Sequence, residues 1–208
     1  FYYGHHLSTI EGGMVCCDEE EFSEMLRIVR ANGWDRNLNT QQQIKWRKKH
    51  NVKSEFDAKY TFYDLGYNMR PTEITGFLGH YQMQFLHENI KTRERNFLHL
   101  EQKVKQNKEL SPLNHDHISL LSSFAFPVLC NSPKTRKKYL AQFSGAGIEI
   151  RPMIAGNIQN QPFFKKYIKK TFHLPGTEKI HTTGFYCGNY PELTNSDLYT
   201  ISSCLHQY

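Results

Sequence analysis

The feature that most constrains this chain is a helical pattern of unusual length near its middle. Pro71 suits a first helical position, where its missing N–H costs nothing. Beyond it Ile74, Phe77, Leu78, Tyr81, Phe85 and Leu86 form an apolar stripe. The pattern continues to about Lys105, with a bend expected near His87–Asn89. A helix of that length is expected to leave one domain and enter the next. The Pro-containing turn at Ser111–Asn114 then puts a boundary near residues 105–115, dividing the chain into 1–108 and 109–208.

Shorter elements flank the helix. Leu7–Cys17 reads as strand, turn and strand, with Gly12 and Gly13 permitting a tight turn. Asp18 with Glu21 three residues on predicts a capping box. Phe22, Met25, Leu26 and Val29 give the helix that follows, and Asn32-Gly33 closes it. Residues 34–60 read as polar and irregular, either a functional loop or a segment ordered by a partner. After the boundary, Ile118–Leu129 reads as a strand and Pro133–Phe143 as a helix stopped by Gly145 and Gly147. Ile148–Arg151 and Phe185–Cys187 read as short strands, and Asn195–Leu205 as a closing helix. The expected class is α/β, in a small layered arrangement.

Composition narrows the function classes. With 38% hydrophobic and 22% charged residues the chain is an ordinary globular sequence, and no apolar run approaches the ~20 residues a spanning helix needs. The start, FYYGHHLSTIEGG, has neither a basic opening nor an apolar core like a signal peptide, and lacks an initiator Met, so a fragment of a longer protein is expected. Five cysteines, two of them adjacent and none in a C-x-x-C pair, fit a reduced, cytoplasmic setting with thiols as small core residues. Eleven histidines lack metal-ligand helix spacing, and His115 and His117 flank Asp116 in what reads as a solvated loop, so no metal is expected. The net charge of +6 gathers at Lys45–Lys53, Lys134–Lys138 and Lys165–Lys170. These runs read as solvated faces rather than a nucleic-acid surface, because no aromatic platform is interleaved with them.

Three stretches carry a resemblance. They are Tyr3–Gly13 (Y-G-H-H-L-S-T-I-E-G-G), Gly66–Thr72 (G-Y-N-M-R-P-T), and Gly147–Asn157 (G-I-E-I-R-P-M-I-A-G-N) followed by Gly184–Asn189 (G-F-Y-C-G-N). In this order they resemble the DegT/DnrJ/StrS aminotransferase family of fold type I pyridoxal-phosphate enzymes, and in particular its histidine-containing 3-dehydratase branch. The resemblance implies a C-terminal fragment of the aspartate-aminotransferase-like fold: the end of the large domain plus a small C-terminal α/β domain. It places His5 where most relatives carry the cofactor lysine. The family's phosphate-binding serine would fall just before Phe1.

The substitution changes the implied chemistry. A lysine amine anchors the cofactor aldehyde covalently, and imidazole cannot. Pyridoxal 5′-phosphate would then be held non-covalently, with pyridoxamine 5′-phosphate as the working form and His5 as both cofactor contact and catalytic base. Asn68 and Arg70, alternating on one extended face, are implied to meet the cofactor phosphate and the substrate side, the asparagine reaching across a dimer interface. Arg151 and Asn157 are implied substrate contacts, with Asp35 and Arg36 as weaker candidates. His6 is expected to face away from His5, as neighbours on a strand do. Glu11-Gly12-Gly13 is read as structural. Residues 18–129 hold no cysteine, which argues against the iron–sulfur cluster of some related 3-dehydrases. The expected function is 3-dehydration of a nucleotide-linked 4-keto-6-deoxy sugar for O-antigen or similar polysaccharide synthesis, with glutamate as amino donor and a homodimer as the assembly. The alternatives are a sugar aminotransferase of the same family and a non-catalytic sugar-nucleotide-binding scaffold.

Overall fold

Helix α1 (Glu20–Val29) presents Glu24 and Ile28 inward and ends at Asn32 and Gly33, which take left-handed φ of 62° and 88°. The computed structural model of the chain describes residues 1–2 and 4–206; Tyr3, which opens the first motif stretch, lies outside them. Two compact units form: Phe1–Tyr3 with Leu7–Gln82, and Gly4–His6 with Met83–Tyr208.

In the first unit the expected strands within Leu7–Cys17 are not formed. Instead Thr9 N donates to Phe1 O at 2.8 Å, and the Phe1 amino group donates to Gly12 O at 3.0 Å. A strand needs a ladder partner, and among the described residues none runs beside this stretch. The Asp18–Glu21 capping box is also absent: α1 starts after Glu19 with no side-chain cap, and Glu21 pairs with Lys49 instead.

Residues 34–60, expected to be irregular, are largely helical. They hold a 3₁₀ turn at Asp35–Asn37, α2 (Thr40–Lys49) and α3 (Glu55–Ala58). An Asn39–Gln42 capping box starts α2, with reciprocal bonds of 2.9 and 3.1 Å. Two buried carboxylates hold this segment, Glu24 from α1 and Asp35 from within it. Glu24 accepts from Trp46 Nε1 at 2.6 Å and from Lys45, while Asp35 accepts from Arg47 Nε at 2.8 Å and Tyr63 OH at 3.2 Å. Helix α4 (Glu73–Met83) completes the unit, starting two residues after Pro71.

The break in the long helical pattern falls at Gln84–Phe85, slightly earlier than expected, and α5 (Leu86–Gln106) follows in the second unit. There a four-stranded antiparallel sheet has the order β1 (Leu110–Ser111), β2 (Ala125–Cys130), β4 (Gly184–Gly188), β3 (Ile150–Pro152). The expected strand Ile118–Leu129 shrinks to β2, because its partner β4 offers only five residues. Helices α6 (Pro133–Gly145), α7 (Pro162–Tyr167), α8 (Pro175–Thr183) and α9 (Asn195–Cys204) complete it. Ser132 caps α6 with Pro133 at its first position, and a Thr194–Asp197 capping box starts α9.

One core fills the space between one sheet face and α5, α6 and α9. Phe97, Leu100, Phe126, Val128, Tyr139, Phe143, Phe185 and Leu205 are its main side chains. Burying each large apolar side chain contributes about 1.5–3 kcal/mol. Cys130, Cys187 and Cys204 lie in this core, whereas Cys16 is exposed and Cys17 only partly covered, so the core-thiol expectation holds for three of five.

Two consequences are testable. Burial pushes Cys130 and Cys187 from 9.0 up to about 12, and Tyr139 from 10.0 up to about 12. Between those limits the folded chain holds protons that the unfolded chain has lost, so stability is complete below pH 9 and falls as pH rises toward 12. Urea midpoints taken at pH 8, 10 and 11 should decline steadily. Separately, a Cβ at Gly66 would overlap the Gly33 nitrogen and the Asn32 carbonyl carbon, so Gly66→Ala should cost about 1–3 kcal/mol by urea unfolding.

Candidate functional site

Asn68 sits on an extended segment pinned to the end of α1. Tyr67 N donates to Val29 O at 2.7 Å, Met69 N to Arg30 O at 2.8 Å, and Ala31 and Asn68 form an antiparallel bridge. That bridging requires Gly66 to pass directly against Gly33, where no side chain fits. Alternation then puts Asn68 and Arg70 on one side, as expected, and Arg70 Nε donates to Asn68 Oδ1 at 3.3 Å. Both residues are exposed, so they form a polar pair open to a ligand.

The weaker candidates from the same unit have other work. Asp35 is fully buried, and the hydrogen bond it accepts from Arg47, helped by its charge, raises Arg47 above its ordinary pKa. Arg36 lies 3.8 Å over the Trp34 ring and 4.7 Å over Tyr60 while donating to Lys59 O. These contacts order the segment that sequence alone left irregular.

In the second unit His5 stands in a turn rather than a strand, so the alternation expected for His5 and His6 does not apply. The two still part company. The exposed His5 ring lies edge-on to Phe124, centroids 6.0 Å apart, while half-buried His6 reaches Ser122. Phe124 in turn meets Tyr186 edge-on at 6.4 Å. Tyr186 on β4 is in register with both Pro127 and Arg151, so all three project from the sheet face opposite the core. Arg151 is exposed and ion-paired with Glu149 at 2.6 Å. An exposed pair of this kind contributes only about 0–1 kcal/mol, so it orients the guanidinium without locking it.

Asn157 is placed differently. It is 8% exposed, its Oδ1 accepts from Gln159 N at 3.1 Å, and its Nδ2 donates to Glu178 Oε2 at 2.9 Å. Its amide therefore orders the loop after β3. Next to it Gly156, at φ 63°, passes so near the His181 ring that a side chain would overlap it. Asn68 and Arg70 thus belong to one unit, and His5, Arg151 and Asn157 to the other.

The sequence reading missed the polar clamp beneath His5. Arg93 Nη1 donates to Asn189 O at 2.6 Å; Asn189 Nδ2 donates back to Arg93 O at 3.0 Å and on to Ser123 O at 2.9 Å. Asn189 N also donates to Phe124 O at 2.9 Å. Arg93 and Asn189 are both buried, and burial lowers the Arg93 pKa. Asn189 closes the G-F-Y-C-G-N stretch, so a signal existed, but nothing local says what its amide holds.

This α/β sheet unit, with the histidine turn and the exposed Asn/Arg pair that come before it in sequence, is the kind of arrangement found in part of an aminotransferase-like fold. The family model of the DegT/DnrJ/EryC1/StrS aminotransferases matches residues 1–206, and the chain belongs to that family. It is 32% identical over 193 residues to GDP-4-keto-6-deoxy-D-mannose 3-dehydratase of Escherichia coli O55:H7, covering 91% of this chain and 48% of that protein. The solved E. coli enzyme with bound hydrated PLP superposes with a TM-score of 0.85 at 29% identity, over 99% of this chain and 52% of that one. A structure of GDP-4-keto-6-deoxymannose-3-dehydratase with a trapped PLP-glutamate geminal diamine matches equally well, TM-score 0.85 at 29% identity over 99% of this chain and 53% of that one. The chain spans about half the length of the relatives it matches. Its fold is accordingly part of the PLP-dependent aminotransferase-like fold, as expected.

The clamp yields a stability prediction. Asn189→Ala strips the buried Arg93 carbonyl and the part-buried Ser123 carbonyl of a donor and should cost about 1–3 kcal/mol, read as a lower urea midpoint.

Proposed function

We propose that the full-length protein is a pyridoxal 5′-phosphate/pyridoxamine 5′-phosphate-dependent 3-dehydratase. Its substrate is a nucleotide-linked 4-keto-6-deoxy sugar, its amino donor glutamate, and its setting cytoplasmic O-antigen or similar polysaccharide synthesis. The observation that carries this is His5, an exposed imidazole that the motif resemblance aligns with the family's lysine. The names of the relatives support it: a GDP-sugar 3-dehydratase, seen with PLP and with a PLP-glutamate adduct. Within that reading residues 1–108 end the large domain and residues 109–208 form the small one.

The donor set fits such a cofactor. Asn68 and Arg70 supply exposed amide and guanidinium donors for phosphate oxygens, and no covalent anchor is required of His5. When bound, the cofactor contributes an amine to meet the sugar C4 ketone and an electron sink that lets the C3 oxygen leave. The chain's part is proton handling and grip. With the cofactor bound, His5 would be the residue that accepts a proton at its imidazole and returns it, since a ring nitrogen can do both. Arg151, loosely tethered by Glu149, binds an anionic part of the nucleotide sugar. Asn157 serves binding by holding the loop after β3.

A homodimer completes the reading. Helix α4 has no buried residue, and Ile74 and Phe77 are 67% and 70% exposed, an apolar face suited to cover by the remaining large domain or a second subunit.

The test uses the full-length protein loaded with pyridoxal phosphate and given glutamate, with the cofactor spectrum recorded over time. Wild type should convert aldehyde absorbance to amine absorbance, and His5→Asn should slow this by roughly 10²–10⁴-fold. A wild type that binds no cofactor, or binds it without conversion, would return the assignment to a non-catalytic sugar-nucleotide-binding protein.

A further inference from the structure

The turn bearing His5 has no regular secondary structure of its own, so its position must come from what it docks against. Residues Gly4–His6 group with Met83–Tyr208, apart from the residues immediately before and after them in sequence. One direct attachment is His6. Its Nε2 lies 2.6 Å from the Ser122 carbonyl oxygen and 2.8 Å from Ser122 Oγ. A carbonyl only accepts, so Nε2 must carry the proton at this contact.

Ser122 offers a firm anchor. The two residues after it are gripped by Asn189, through its side chain to Ser123 O and its backbone to Phe124 O, and Asn189 is itself locked to Arg93. His6 bonds to the first residue of this Ser122–Phe124 segment, and the His5 ring stands against the last. One rigid segment therefore receives both histidines.

We infer that His6 is a positioning residue for His5: its Nε2–H bond to Ser122 fixes the turn so that the His5 imidazole is held in one place against Phe124. The inference rests on the reading of His5 as the proton-transfer base. A base on an unsupported turn would lose rate steeply, since a displacement of about 1 Å can cost on the order of 10²-fold.

Two variants of the full-length protein separate positioning from simple packing. His6→Gln places an amide N–H where Nε2–H was, and His6→Leu fills the space without a donor. On the cofactor-free protein, ¹⁵N-histidine NMR should show His6 protonated at Nε2. The His5 signals should be the same in wild type and His6→Gln and displaced or broadened in His6→Leu. With cofactor, His6→Leu should lower kcat for glutamate-driven conversion by on the order of 10–100-fold at nearly constant KM, and His6→Gln should restore it to within a few-fold. The inference is overturned by a His6 protonated at Nδ1, by a His5 signal indifferent to His6→Leu, or by equal kcat in the Leu and Gln variants. A wild type that fails to convert cofactor would sink the assignment of His5 as base. The NMR comparison would then still decide whether His6 holds its ring.

Discussion

Phe126 and Val128 on β2 and Phe185 and Cys187 on β4 are buried against α5, α6 and α9, and strand geometry leaves their neighbours no choice of direction. Because alternate residues must point away from that core, Pro127, Tyr186 and Arg151 share the opposite face. Phe124 and His5 join this face through ring contacts rather than through the ladder. The face that holds His5 and Arg151 is thus the reverse side of the second unit's core. A slip of one residue between β4 and either partner would bury Arg151 or Tyr186 and expose Phe185.

The first unit solves a different problem, holding a segment with little apolar content. Trp46, Leu38 and Ile28 make only a small cluster, so buried polar pairs supplement it. Glu24 and Asp35 are costly to bury alone, and each is met by at least two donors, including Trp46 Nε1 and Tyr63 OH. Those bonds hold α2 and Tyr63 to the α1 region. The chain beyond Tyr63 can then return along Arg30 and Ala31, which is what presents Asn68 and Arg70. The Gly33–Gly66 approach is the steric condition for that return.

Elements with strong local signals were legible in the sequence. Pro133 and Gly147 bracket α6, Asn32-Gly33 ends α1, and the apolar period of α9 follows Leu198, Ile201 and Leu205. The alternation of Asn68 and Arg70 was also readable, because two residues on an extended segment need no tertiary information. What failed was decided at a distance. Asp18 and Glu21 form a valid capping pattern locally, but Lys49, 28 residues away, takes Glu21. Leu7–Cys17 has strand-like composition without a ladder partner among the described residues. Helix α2 was missed although Asn39–Gln42 is itself a capping signature, because its polar residues hide the buried contacts of Trp46. Asn157 had the right motif, yet its amide turned out to be spent within the chain.

The geometry of Asn68 and Arg70 bears on what that pair can bind. An asparagine amide facing an anion presents one favourable group, its NH₂, and one unfavourable group, its carbonyl oxygen. Here Arg70 Nε occupies that oxygen at 3.3 Å, so the acceptor is answered inside the pair. What remains toward a ligand is the amide NH₂ and the rest of the guanidinium, all donors, with a full positive charge behind them. Such a pair favours a phosphate and disfavours a cation. If the ring end of a cofactor is released from covalent attachment, a larger share of its retention must rest on contacts of this kind.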